Sequence, residues 1–296
     1  LSKGGLTKMC RLNPRVDFAF KKLFGSEENK DILISFINSV LDEEDQITDI
    51  ILKNPYNSKS FKNDKLSILD VKAVDEKGVW YNIEMQITDQ DYYDKRALYY
   101  WARLYTGQLE SGVNYDKLEK TIVINVLNFN CLDEEDYHNV YKLFNTQSKE
   151  ELIDHLEIHF IELEKYNKDL SEVQTALDRW TEFLKRAHEY NKNQIPAQLA
   201  EIKSIEKAIR VLDAMYLNED ERELYEARLK WLRDEEMALK KAEEKGREEG
   251  RREGVEEGKK EMVNNLLKLG VEIDKIIEAS GLSKEEIQNL RNSIED

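Results

Sequence analysis

Cysteine is nearly absent: Cys10 and Cys131 are too few and too far apart for a disulfide framework or a zinc site, which agrees with a reducing compartment. No apolar run approaches the length of a membrane span, and the first residues carry neither an apolar h-region nor a small-residue cleavage site. A cytoplasmic protein with no membrane partner is therefore expected. Glycine-rich phosphate loops, nucleophile elbows and Cys/His catalytic arrangements are also missing. Of the four histidines, His155 and His159 share a face of either a helix or a strand, but no acid converges on them in the sequence. They read as surface or core histidines rather than ligands.

What is present suffices for a real core: 296 residues, 40% of them hydrophobic, can hold one large or two ordinary domains. The net charge of −16 is uneven. Residues 1–130 hold 18 basic and 20 acidic side chains, whereas the remainder holds 27 and 41. Only the second half is strongly acidic, so the first can still carry a basic stripe facing phosphate.

The apolar pattern predicts a helix opening at Asp17, with Phe20, Leu23 and Phe24 on one stripe and Gly25 ending it. A second helix, capped by Ser26, carries Leu33, Phe36, Ile37 and Val40. Residues 47–55 read as a strand, residues 91–110 as a helix, and residues 121–129 as a nearly continuous apolar strand of a sheet interior. This is an α/β unit of about 130 residues.

Between these elements, residues 66–74 and 79–87 both alternate at period two around Glu76-Lys77-Gly78. A three-residue hairpin loop places its last residue in the left-handed region, which Gly78 tolerates. That loop pairs Asp75 with Val79, sets Val71 opposite Ile83 and Ala73 opposite Tyr81, and brings Asp70 directly opposite Glu84, with Gln86 on the same face. Opposed carboxylates repel, so either a bound cation or a strongly shifted pKa keeps them, or the two acids splay apart into water.

Beyond residue 130 the chain turns mostly helical. Leu156, Ile158 and Phe160 alternate as one further strand, and Val173, Leu177, Trp180 and Leu184 mark a helix for which Ser171 and Gln174 form a capping box. Pro196 suits the first turn of a helix with the stripe Leu199, Ile202, Ile205, Ile209 and Leu212. A long charged helix from about Glu219 runs into Gly246, Gly250, Gly254 and Gly258, which read as a flexible or conditionally helical connector, since each glycine costs a helix about 1 kcal/mol. Two short helices follow, the first ended by Gly281 and the second opened by a Ser283/Glu286 capping box. Residues 271–296 hold three basic and seven acidic residues, which favours contact with protein over DNA.

Several ordered pieces together carry a resemblance: Asp17-Phe18-Ala19-Phe20-Lys21-Lys22-Leu23-Phe24, Leu69-Asp70-Val71-Lys72, Ile83-Glu84-Met85-Gln86, and the segment from Arg96 to Tyr105. They resemble the recombination-promoting nuclease/transposase family of the PD-(D/E)XK nuclease superfamily. The likeness covers roughly the first 130 residues well and extends loosely to the glycine-repeat tail. It implies an α/β, restriction-endonuclease-like core, a mixed central sheet flanked by helices, followed by a mainly helical C-terminal part. The expected division is a nuclease-like core at 1–130, a mainly helical extension of it at 131–218, a charged helix and glycine-repeat connector at 219–262, and a small terminal helix pair at 263–296.

The resemblance implies a metal-dependent DNA endonuclease in which Asp70 and Glu84 hold Mg²⁺ or another divalent cation. Carboxylate oxygens suit Mg²⁺, which keeps several waters and takes one or two protein carboxylates plus substrate phosphate. Gln86 stands where the wider superfamily has lysine; its amide can orient water but neither removes a proton nor carries charge. Asp17 matches an acidic residue offered by the first helix, and equally suits a helix N-terminus for dipole reasons alone. Arg96 and Arg103, seven apart with Tyr92, Tyr99 and Tyr100 nearby, could grip a phosphate backbone, extended by Lys21, Lys22 and Lys95; packing with the arginines paired to Asp91 or Asp94 is the alternative. Two further readings compete: a catalytically weak or inactive DNA-binding or assembly protein on the same fold, kept alive by Gln86, and a C-terminal helical half that makes the chain a homo-oligomer, such as a dimer.

Overall fold

The computed structural model describes residues 11–54, 70–89, 91–190, 195–215 and 219–295. Residues 66–69 of the expected hairpin, and Cys10, lie outside the described residues, as does the side chain of Asp17. Two compact units emerge, Leu1–Arg228 and Leu229–Asp296.

The first unit is built on one mixed sheet of six strands: β1 (Ile50–Leu52), β2 (Val71–Asp75), β3 (Trp80–Gln86), β4 (Thr121–Leu127), β5 (His138–Lys142) and β6 (Leu156–Glu162), in the order β1-β2-β3-β4-β6-β5. β1, β2 and β3 run as an antiparallel meander, β3-β4-β6 are parallel, and β5 returns antiparallel on the edge. The parallel crossovers need a covering layer, so β4 is buried along its whole length. The expected boundary at residue 130 falls inside this sheet, because β6 and β5 continue it. β5 had no sequence signal: its side chains are half-buried or exposed and do not alternate cleanly.

α1 (Asp17–Phe24) and α2 (Lys30–Val40) pack with α4 (Ala176–Arg186) and α6 (Lys203–Ala214) around an aromatic centre of Phe24, Phe36 and Trp180, whose rings lie 5.4–5.8 Å apart. α3 (Tyr93–Thr106) lies instead on β4, β6 and β3, burying Tyr93 and Ala97 against Leu127, Ile158 and Phe160. Trp101 continues that i, i+4, i+8 stripe and donates its indole N–H to Thr121 O at 2.9 Å.

Local expectations differ from the structure in three places. Ser26 does not cap α2; its hydroxyl donates to Lys22 O, and a 3-10 turn over Glu27–Asn29 intervenes. α4 is opened by Thr175 and Asp178 rather than Ser171 and Gln174: Asp178 N donates to Thr175 Oγ1, while the Asp178 carboxylate accepts from Thr175 N. The stripe from Leu199 to Leu212 is split between a single turn, α5 (Ala197–Ala200), and α6, because Ile202 is extended.

The 50 residues of α7 (Glu219–Lys268) form one continuous helix, glycines included. A Cβ at Gly246, Gly250, Gly254 or Gly258 would meet nothing within 4 Å among the described residues of the chain. In the second unit Val263, Ile276 and Ile287 form a small core joining the end of α7 to α8 (Ile273–Ser280) and α9 (Lys284–Glu295). Gly281 is left-handed with φ of 68°, and Ser283 and Glu286 make the expected capping box. No helix among the described residues is long and apolar enough to cross a membrane.

Candidate active site

The hairpin between β2 and β3 fixes the site. Asp75 N donates to Val79 O at 3.1 Å, Asp75 Oδ1 accepts from Lys77 N and Val79 N, and Gly78 takes φ of 91°. The register pairs Val71 with Ile83, Lys72 with Asn82 and Ala73 with Tyr81. Continued by one residue, it puts Asp70 opposite Glu84. Alternation then sends Asp70, Lys72, Asn82, Glu84 and Gln86 to the face under α3, and Val71, Ala73, Tyr81, Ile83 and Met85 to the other.

Asp70, Glu84 and Gln86 are each only 7% exposed, so the acids do not splay into water. Glu84 accepts from Asn82 Nδ2 at 3.0 Å on one oxygen and from the Tyr93 hydroxyl at 3.3 Å on the other. Tyr93 is held in turn by Asn125 on β4, directly across from Glu84, whose Oδ1 lies 3.2 Å from the same hydroxyl and whose amide donates to His159 O. Burial raises the Glu84 pKa above the ordinary carboxylate value; the charge of Asp70 pushes the same way, against the pull of Asn82, Arg96 and Tyr93.

Asp70 is anchored differently. Its Oδ2 lies 3.0 Å from Lys72 Nζ, while Oδ1 is buried with no hydrogen-bond partner among the described residues. Asn54 clamps the backbone, donating to Asp70 O at 3.0 Å and accepting from Lys72 N at 2.7 Å. Among the described residues no group of three or more His, Cys, Asp or Glu side chains converges as a metal cage. Two buried carboxylates, one with an oxygen left unbonded, nevertheless fit an ion that takes few protein ligands and completes its shell with water and phosphate.

The remaining predicted residues are spread out. Gln86 shares the face, but its amide donates to Thr88 O at 3.3 Å. The Arg96 guanidinium lies over the Tyr93 and Tyr100 rings, 5.8 and 5.1 Å from their centres, and its charge reaches Glu84. Arg103 is two turns further along α3 and exposed, as are Tyr92, Tyr99 and Lys95, whose ammonium sits 4.4 Å from the Tyr92 ring. Lys21 and Lys22 are half-buried on α1, which packs on α2 and α6 rather than under α3. His159 is a buried structural histidine bonded to Glu157 and His138, and His155 meets the Tyr105 hydroxyl.

Sequence reading missed Lys72, Asn82, Tyr93 and Asn125. The period-two pattern that selected Asp70 and Glu84 also puts Lys72 and Asn82 on their face. Tyr93 and Asn125 carried no signal, because their contacts depend on how α3 crosses β4.

A mixed sheet in which an aspartate just before the second strand and an ExQ glutamate on the third lie buried on one face defines a nuclease-type fold. The profile of the PD-(D/E)XK nuclease family transposases matches residues 14–242, most of the chain, and the protein belongs to that family. No curated protein and no solved structure matches it. Its function is accordingly nuclease- or transposase-related.

Proposed function

We propose that the protein is a divalent-cation-dependent endonuclease that hydrolyses DNA phosphodiester bonds in the cytoplasm. The observation that carries this reading is the buried Asp70/Glu84 pair, with Asp70 Oδ1 unbonded among the described residues and the Glu84 pKa raised by burial and by its neighbour's charge. Lys72 offsets only one of these two buried like charges, and Mg²⁺ or a similar ion held by Asp70 and Glu84 provides further counter-charge. Such an ion, when bound, supplies neutralisation of charge on the scissile phosphate and acidification of the attacking water.

The chain's own groups do the rest. Asn82 and Tyr93 hold Glu84 in one rotamer, and Asn54 holds the Asp70 backbone, so the acids stay in place before substrate arrives. Gln86 Oε1 can accept from the attacking water and orient it, and Asp17, at the start of α1, is the further acid of the reading. Arg96 and Tyr100, stacked on one another, and Arg103 along the same helix grip the DNA backbone, with Lys21 and Lys22 as outlying contacts. Self-association through the C-terminal helices, as a dimer, belongs to the same reading.

The test is cleavage of duplex and single-stranded DNA with Mg²⁺ or Mn²⁺. Asp70→Ala and Glu84→Ala should each lose at least about a hundredfold in rate. Intact DNA under all salt conditions, or an Asp70→Ala variant as fast as the parent, overturns the reading. The amide of Gln86 turned to Thr88 O favours one alternative, a catalytically weak DNA-binding or assembly protein. That alternative predicts DNA binding without cutting.

A further inference from the structure

The site face of the hairpin carries a block of four side chains beside Gln86, Asp70 opposite Glu84 and Lys72 opposite Asn82. Lys72 Nζ lies 3.0 Å from Asp70 Oδ2, and Asn82 Nδ2 donates to Glu84 Oε1 at the same distance. Two of the four carboxylate oxygens therefore already have partners of this block, one cationic and one neutral. The Lys72 side chain is 38% exposed while that of Asp70 is 9% exposed, so the lysine is open to solvent where the acid it pairs with is not. Backbone clamping by Asn54 at both Asp70 and Lys72 fixes their spacing. Gln86, the residue expected to assist the water, carries no charge and spends its amide on Thr88 O.

We propose that Lys72 is the built-in cation of the site: it balances Asp70 until a divalent ion competes for that carboxylate, and then donates to the scissile phosphate. This rests on the endonuclease reading above and adds a residue to it. An ammonium ion-paired to a carboxylate oxygen must yield before that oxygen ligates another cation, so Lys72 weakens cation binding in the absence of DNA. A flexible, partly exposed four-carbon stem then carries its charge to where negative charge accumulates in phosphoryl transfer. One residue thus acts in opposite directions on cation affinity and on cutting, which an ordinary surface ion pair does not do.

The experiment compares the full chain with Lys72→Met and Lys72→Arg, by calorimetric titration with Mn²⁺ alone and by single-turnover cleavage of DNA at saturating Mn²⁺. Lys72→Met should bind Mn²⁺ about tenfold more tightly and cut about a hundredfold more slowly, and Lys72→Arg should return most of both. A purely structural lysine would weaken both binding and cutting when replaced, and a solvated ion pair would change neither; either result overturns the proposal. Lys72→Gln is the second neutral variant should Lys72→Met melt early. A parent that neither binds Mn²⁺ nor cuts fails the endonuclease reading and this inference with it, whereas a parent that does both while Lys72→Met behaves identically overturns the role of Lys72 alone.

Discussion

Two buried glutamates on the same sheet are treated in opposite ways. Glu157 on β6 faces the side away from α3, where His159 Nε2 reaches it at 2.7 Å, Lys120 at 2.9 Å and Lys142 at 3.4 Å; its pKa falls to about 2. Burial alone would raise that value, so the surrounding cations and the imidazole N–H dominate. Glu84 on β3, equally buried, accepts from the neutral donors Asn82 and Tyr93 beside another acid, and the charge of Arg96 does not offset its burial, so its pKa rises. One carboxylate is fully compensated within the chain, while the other is held short of compensation. The first arrangement stabilises the fold; the second reserves a position for charge that arrives from outside.

The sharpest way to break this contrast is neutralisation of each acid. Glu157→Gln leaves Lys120 buried and Lys142 half-buried beside an amide and should cost about 3–5 kcal/mol, the usual cost of removing one partner of a buried ion pair. Glu84→Gln removes a charge that the fold disfavours and should leave stability unchanged or raise it. Denaturant titration at neutral pH reads both. Equal losses would mean that Glu84 is as structural as Glu157.

Acid should act next, and mostly on the compensated face. His138 stacks on His159 with ring centres 5.3 Å apart and its Nε2 lies 3.0 Å from His159 Nδ1; burial and the neighbouring ring lower its pKa from 6.5 to about 4. In that window the unfolded chain binds a proton that the folded chain refuses. Stability is therefore full above pH 6.5 and drains as pH falls toward 4, by up to about 3 kcal/mol from this group. Glu157 adds its loss only lower, from about pH 4.5 toward 2. The contribution of Glu84 has the reverse sign, since protonation relieves it. His138→Asn should flatten the stability curve between pH 6.5 and 4; an unchanged slope would show that the imidazole pair is not what resists acid.

The contrast between these glutamates was half legible in the sequence. Period-two alternation around Glu76-Lys77-Gly78 is local information, and it sufficed to register Asp70 against Glu84 because the turn chemistry of Asp75 and Gly78 leaves one loop length. The environment of Glu157 was not legible. Lys120, Lys142, His138 and His159 come from three separate segments, Lys142 and His138 both from β5, and their convergence requires the strand order β4-β6-β5, which no local pattern encodes. The same limit explains the boundary expected at residue 130: β4 reads as an interior strand, but the strand that covers its far edge lies some thirty residues later. The glycine repeat is a different case. Low propensity suggested a flexible or conditionally helical connector, and in the structure the segment is one continuous helix with its glycines open to space.

The smallest expected effect separates neutral from charged support. Tyr93→Phe removes the hydroxyl shared by Glu84 and Asn125 and leaves Asn125 Oδ1 without it, a loss of about 1 kcal/mol. Because that hydroxyl favours the ionised form of Glu84, its removal raises the Glu84 pKa further. The cost of the variant should therefore grow as pH rises, when Glu84 must ionise with one donor fewer. Lys142→Met on the other face removes the most distant of the Glu157 contacts, 3.4 Å away and partly exposed, and should cost about 0.5 kcal/mol. Glu157 is ionised at both pH 5 and pH 8, so that cost should not change between them. Denaturant midpoints of the two variants at pH 5 and pH 8 provide the comparison, and a Tyr93→Phe penalty that shrinks with rising pH would remove the tyrosine from the support of the Glu84 carboxylate.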